Sequence, residues 1–91
     1  MVEPVQGEGG IFPATEEFLQ GCRQLCDEKN LLLIFDEIQC GFGRTGAFCT
    51  YEQYDITPDI MASAKPIATG LPLGSVILTD AVAQHIKPGD H

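Results

Sequence analysis

The segment that most constrains the fold is residues 31–39, which read LLLIFDEIQ. Its apolar run is too short and too uniformly apolar for an amphipathic helix, so a strand at residues 31–38, covered on both faces as in a parallel sheet, is predicted. Two carboxylates, Asp36 and Glu37, follow this run. Because side chains alternate along a strand, we expect Glu37 to point away from Asp36 and to need its own hydrogen-bond partners.

A helix is predicted to begin after Thr15, a residue suited to accept hydrogen bonds from the first backbone amides of a helix. Asn30 suits the left-handed conformation that often ends a helix. Between them, five apolar side chains recur with helical spacing and are expected to form one buried face. These side chains are Phe18, Leu19, Cys22, Leu25 and Cys26.

Shorter apolar segments predict the remaining strands. Residues 1–6 are typical of the end of a strand, and residues 59–64 and 75–79 form two further apolar runs. Residues 65–74 are expected to form a loop, residues 50–55 a short helix, and Asp80 is expected to cap a last helix. Since strands alternate with helices and loops, the fold class is α/β with a mostly parallel sheet and flanking helices.

Composition limits the classes of function. The chain has 91 residues, enough for one domain at most, and 44% of them are apolar, as in an ordinary globular protein. A net charge of −8 argues against nucleic acid as a partner. No apolar run approaches the roughly 18 residues of a membrane span, and no signal peptide is visible. The four cysteines suit reduced, buried thiols in a reducing compartment better than a metal site.

Two nucleotide-binding alternatives fit parts of the sequence. An apolar strand ending in Asp-Glu is typical of the metal-binding strand of nucleoside triphosphatases, but the phosphate loop that such enzymes need is absent from the sequence. Gly41, Gly43 and Gly46 match the dinucleotide pattern G-x-G-x-x-G, yet a polar segment separates them from the strand and Pro58 leaves no room for a long helix. A tight surface loop with glycines at positive φ explains these glycines better.

Lys65 ends the apolar run at residues 59–64 and precedes Pro66, which favours an extended backbone at the lysine. The carboxyl ends of parallel strands meet at one edge of a sheet, where ligands bind in α/β folds. Lys65 and Asp36 are therefore expected at the same edge. A lysine with a strand-end aspartate is the pair that pyridoxal phosphate chemistry requires. The alternative is an ordinary solvated lysine.

Four stretches together carry a family resemblance: EPVQGEGG, LLIFDEIQCGFGRTG, PDIMASAKPIATGLPLGS and KPGDH. In this order and spacing they resemble the class III aminotransferases, pyridoxal 5'-phosphate enzymes of fold type I. The resemblance is greatest to members that act on acetylornithine, and next to those that act on ornithine. It outweighs both nucleotide readings. It also implies that residues 1–91 are a fragment of the large, cofactor-binding domain of a longer enzyme.

The resemblance implies a role for each residue near the strand end. Lys65 would attach covalently to pyridoxal phosphate, and Asp36 would pair with the protonated pyridine nitrogen. Gln39 would lie near the phenolic oxygen, while Glu37 and Ile38 would line the same turn and belong to the cofactor site.

Other implications concern substrates and assembly. Glu8 resembles a glutamate that gates substrate binding by pairing with an arginine, Glu3 lies nearby, and Arg44 would support the loop through hydrogen bonds. The implied reaction moves an amino group from N-acetylornithine, or a similar ω-amine such as ornithine, to 2-oxoglutarate in arginine biosynthesis. The alternative is a truncated, catalytically incomplete remnant. A homodimer is implied for the full-length enzyme, located in a mitochondrion or plastid in a eukaryote and in the cytoplasm in a bacterium.

Overall fold

The computed structural model describes residues 1–41, 43–65 and 70–90. Strands and helices alternate along the chain, which confirms the predicted α/β class. In chain order they are β1 (Val5–Gln6), β2 (Phe12–Pro13), helix α1 (Glu16–Lys29), β3 (Ile34–Asp36), a 3-10 helix (Thr50–Gln53), β4 (Ile60–Ala64), β5 (Gly74–Leu78) and helix α2 (Asp80–Ala83).

The main sheet has three strands in the order β3-β4-β5. Strands β3 and β4 are parallel, with Asp36 opposite Ala62, and a parallel bridge joins Val2 to Phe35 on the other side of β3. Strand β5 runs antiparallel to β4, and β1 and β2 form a separate antiparallel ribbon. The parallel arrangement that the sequence predicts therefore holds around β3, where the carboxyl ends of neighbouring strands meet.

Helix α1 begins and ends where the sequence predicts. The side chain of Thr15 accepts a hydrogen bond from the amide of Phe18 at 3.1 Å, and Asn30 adopts the left-handed conformation with φ 56°. The predicted buried face is only partly correct, because Leu19 is fully buried whereas Phe18 and Leu25 are half exposed. At about 100° per residue, Phe18 and Leu25 lie on the flank of the apolar stripe farthest from Leu19, beyond the reach of the small core.

The core lies between α1 and the sheet. Its buried members are Leu19, Leu33, Phe35 and Ile56. Tyr54 packs against them, and its hydroxyl donates to the carbonyl of Ala14 at 3.1 Å. The predicted strand at residues 31–38 is longer than the observed β3. Residues 31 and 32 are exposed, and residues 37–41 turn back on themselves instead of extending the strand.

Several smaller predictions can be compared with the structure. The 3-10 helix lies where a short helix was expected, but Thr79, not Asp80, precedes α2, and Asp80 is its first helical residue. All four cysteines are free, and Cys40 and Cys49 are buried. Among residues 1–41, 43–65 and 70–90, no helix is long and apolar enough to cross a membrane, and no group of three or more side chains could hold a metal ion.

Candidate active site

Asp36 ends β3 and is half-buried. Its backbone amide donates to the carbonyl of Val2 at 2.8 Å, and its Oδ1 accepts from the amide of Ile38 at 3.0 Å. The other carboxylate oxygen has no hydrogen-bond partner in the described part of the chain. The side chain lines a cavity of about 470 Å³ together with Glu3 and Phe12. Asp36 is therefore oriented by its own turn and keeps one oxygen available.

Glu37 is fully buried. Its Oε1 accepts from the amide of Thr50 at 2.5 Å and its Oε2 from the amide of Tyr51 at 3.0 Å, so the carboxylate ties the turn after β3 to the 3-10 helix. Burial raises the pKa of Glu37, and the two backbone hydrogen bonds act against that rise. The prediction that Glu37 has its own hydrogen-bond partners is confirmed. With no exposed surface, its carboxylate supports the site from beneath.

Two distant segments meet at Gln39. Its Nε2 donates to Oε1 of Glu8 at 3.2 Å, and its carbonyl accepts from Nη1 of Arg44 at 3.4 Å. The hydrogen bond from Arg44 confirms the supporting role that was predicted for this arginine. The structure thus brings together two of the predicted site residues, Glu8 and Gln39, although 31 positions separate them in the sequence.

Lys65 follows β4 directly and is exposed. Its backbone has φ 59°, so the expectation of an extended conformation before Pro66 is wrong. In a continued strand, Lys65 would point to the face opposite Ala62 and Asp36, since side chains alternate. The left-handed backbone ends that alternation at the lysine. Non-glycine residues held at positive φ are strained and cluster at functional sites.

Part of the loop that follows Lys65 lies outside the residues that the structure describes. Residues 66–69, part of the predicted loop, lie outside the described residues, as do Phe42 and His91. Between Lys65 and Asp36, both of which are described, the structure contains no hydrogen bond or ion pair. It places them at the ends of two neighbouring parallel strands, where a ligand could lie between them.

Two structural contributors escaped the sequence analysis. Thr50 donates from its hydroxyl to the carbonyl of Cys40 through a short hydrogen bond, and its amide donates to Glu37. Because Thr50 lies 13 positions from Glu37, no local sequence pattern predicts that they are partners. Gly41 lies so close to the turn that a Cβ there would be 2.8 Å from the carbonyl oxygen of Glu37. The glycine pattern does contain this signal, but it first suggested dinucleotide binding. Gly43 and Gly46 have φ 85° and 97°, as expected for a tight loop.

Comparisons with known proteins agree with this arrangement. The whole chain, residues 1–91, matches the aminotransferase class-III family. It is 57% identical over 90 residues to the mitochondrial acetylornithine aminotransferase of Alnus glutinosa, covering 99% of this chain and 20% of that protein. It is 53% identical over 91 residues to the succinylornithine transaminase of Salmonella paratyphi B, covering 100% of this chain and 22% of that protein.

A solved structure shows the same fold. The ornithine aminotransferase of Toxoplasma gondii, with partial occupancy of PLP at its active site, superposes with a TM-score of 0.87 at 38% identity, covering 99% of this chain and 21% of that one. The chain therefore spans about a fifth of the length of these relatives. The match over all 91 residues excludes both nucleotide-binding alternatives. The chain has the fold of a part of a fold type I enzyme, and it belongs to the class-III aminotransferases.

Proposed function

We propose that this chain is part of the cofactor-binding large domain of a transaminase that depends on pyridoxal 5'-phosphate. The reaction moves an amino group from N-acetylornithine, or a similar ω-amine such as ornithine, to 2-oxoglutarate in arginine biosynthesis. The observation that carries this proposal is the placement of Asp36 and Lys65 at the ends of two adjacent parallel strands. Family membership and relatives named for acetylornithine and succinylornithine support it.

The side chains present fit pyridoxal phosphate. The carboxylate oxygen of Asp36 that has no partner among the described residues can accept a hydrogen bond from a pyridinium N–H. The exposed amine of Lys65 can reach an aldehyde, and the amide of Gln39 can donate to a phenolic oxygen. Ile38 contributes its backbone amide, which holds Asp36, and Glu37 holds the turn after β3, which carries Ile38 and Gln39. When bound, this cofactor supplies an electron-withdrawing ring that stabilises negative charge on the reacting carbon.

Within this scheme, two residues act on protons and charge. Lys65 serves as the general base that removes a proton from the substrate carbon bearing the amino group and later returns one. Asp36 favours the protonated form of the ring nitrogen, since an anion in a half-buried position stabilises a neighbouring cation more strongly than one in water. The remaining acid, Glu8, is proposed to gate the substrate-binding region, where its exposed carboxylate is free to exchange partners.

A labelling experiment tests the proposal. In a full-length chain that contains these 91 residues, borohydride reduction in the presence of pyridoxal phosphate should attach the cofactor to Lys65, as mapped by peptide mass spectrometry. Lys65→Ala should remove the adduct, because the amine that bonds to the aldehyde is gone. The matched control is Lys29→Ala at the end of α1, which should leave the adduct intact. Attachment at Lys29 or Lys87 would overturn the assignment.

A second candidate is a catalytically incomplete remnant. It is favoured by the large apolar side chains that this chain leaves exposed, among them Phe12, Leu71 and Val76 at 62%, 72% and 65%. Surface of this kind marks a face that needs another partner. Titration of the isolated 91-residue chain with pyridoxal phosphate separates the two candidates. Saturable uptake by the isolated chain at a site that includes Lys65 supports the enzyme, whereas no uptake by the isolated chain supports the remnant. We propose that the full-length enzyme is a homodimer.

A further inference from the structure

Three contacts fix the position of Gln39. Its side-chain amide donates to Glu8, and its carbonyl accepts from Arg44. Gly7 presses against the same side chain, since a Cβ added at Gly7 would lie 2.7 Å from Cβ and 2.9 Å from Cγ of Gln39. The backbone and the side chain of Gln39 are thus both restrained by groups that belong to the segment before β2 or to the loop after β3.

The hydrogen bond with Glu8 also decides which way the amide of Gln39 faces. A primary amide has an NH2 group with two hydrogens and a carbonyl oxygen that only accepts. If the amide were flipped, its carbonyl oxygen would face the carboxylate of Glu8, and two acceptors cannot form a hydrogen bond. Glu8 therefore takes one amide hydrogen and leaves the second free for another acceptor.

We propose that Glu8 is a positioning residue for Gln39, which presents its second amide hydrogen to the phenolic oxygen of the cofactor. This inference rests on the proposed function and adds to it a second task for Glu8. Gating by exchange of ionic partners needs the negative charge of Glu8. Positioning needs only an acceptor oxygen, because the bond to the amide of Gln39 is a single donor–acceptor contact. The two tasks can therefore be separated by substitution.

Cofactor affinity measures the positioning role. In the full-length chain, the dissociation constant of pyridoxal phosphate, followed by its absorbance, should rise about threefold to tenfold in Glu8→Ala, as expected for the loss of one hydrogen bond. Glu8→Gln keeps an acceptor oxygen and should stay within about twofold of the parent. In a Gln39→Met background, Glu8→Ala should have no further effect. The control Glu17→Ala removes an exposed carboxylate from the first turn of α1 and should leave the affinity unchanged.

A second readout does not use the loaded enzyme. In the cofactor-free full-length chain labelled with ¹⁵N-glutamine, the side-chain amide signal of Gln39 is assigned by its loss in Gln39→Met. This signal should shift in Glu8→Ala and keep its position in Glu8→Gln. Equal effects of Glu8→Ala and Glu8→Gln, or the same fold-change for Glu8→Ala with and without Gln39, would overturn the inference while the proposed function stands. A parent chain that does not bind pyridoxal phosphate would overturn both.

Discussion

The two neighbouring carboxylates at the end of β3, Asp36 and Glu37, lie in different environments on opposite sides of the chain. On the open side, Asp36 is half-buried and uses one oxygen, which accepts from the amide of Ile38. On the closed side, Glu37 is fully buried and uses both oxygens, which accept from the amides of Thr50 and Tyr51. Since buried polar groups are nearly always satisfied in folded proteins, the two hydrogen-bonded oxygens of Glu37 indicate a structural acid. Asp36, which keeps one oxygen without a partner among the described residues, is the acid that we propose to act on the cofactor.

The difference arises from the strand itself. Glu37 directly follows β3, and its amide still donates to the carbonyl of Ala62 on β4, so the alternation of side chains in the strand gives the two adjacent acids different environments. The 3-10 helix packs on the closed side. Its first backbone amides, at Thr50 and Tyr51, need acceptors, and the carboxylate of Glu37 supplies them. The open side faces the cavity and receives no such amides. Two adjacent residues with the same functional group therefore differ in burial and in hydrogen bonding, because their side chains point to different faces and different elements pack on each face.

The largest expected effect is on the open side. In the full-length chain, Asp36→Asn should lower turnover about a hundredfold to a thousandfold, as when one preorganised electrostatic group is removed from an active site. The amide oxygen of asparagine can still accept from Ile38, so the urea midpoint of unfolding should hardly change. Steady-state kinetics and urea unfolding of the same preparation check both parts. Near-normal turnover would refute the role of Asp36.

On the closed side, the expected loss is of stability. Glu37→Ala leaves the amides of Thr50 and Tyr51 without acceptors and should lower the free energy of unfolding by about 2–5 kcal/mol. The matched control is Glu52→Ala, which removes an exposed carboxylate from the same 3-10 helix and should cost less than about 0.5 kcal/mol. If Glu37→Ala left stability intact and reduced turnover as strongly as Asp36→Asn, the distinction between the two sides would be lost.

Local sequence signals predicted several elements of the fold well. The apolar run followed by Asp36, the capping residues Thr15 and Asn30, and the strand before Lys65 are all encoded within a few residues, and the structure confirms each of these elements. The alternation of side chains along the predicted strand at residues 31–38 was enough to predict that Glu37 would find separate partners. The family motifs added the chemistry, which spacing alone left open between nucleotide and pyridoxal phosphate binding.

Nonlocal contacts account for what the sequence did not reveal. The partners of Glu37 lie 13 and 14 positions away, and the bond between Gln39 and Glu8 spans 31 positions. The left-handed backbone of Lys65 opposes the preference of a residue before proline, so surrounding structure must override a local rule there. Phe18 and Leu25 fit the helical pattern of apolar residues yet are exposed. Helical spacing does not reveal how much of the helix surface the core beneath α1 can cover.

The smallest predicted effect concerns the turn that joins the two sides. Gly41→Ala would place a Cβ 2.8 Å from the carbonyl oxygen of Glu37 and 3.4 Å from the hydroxyl of Ser63, so the backbone must shift. We expect a loss of about 1–3 kcal/mol in the free energy of unfolding, as for overpacking at a close contact. Gly21→Ala is the matched control in α1, where nothing lies within 4 Å of the new methyl group.

At Gly21 the same substitution should raise stability by about 0.5–1 kcal/mol, since alanine favours a helix interior over glycine. Opposite signs at the two glycines, measured by urea unfolding of the full-length chain, would place the constraint at the turn after β3. That turn carries Asp36 on one side and Glu37 on the other, so a shift of its backbone should also reduce turnover. A destabilised Gly41→Ala variant with full turnover would show that the open side holds its geometry independently of the closed side.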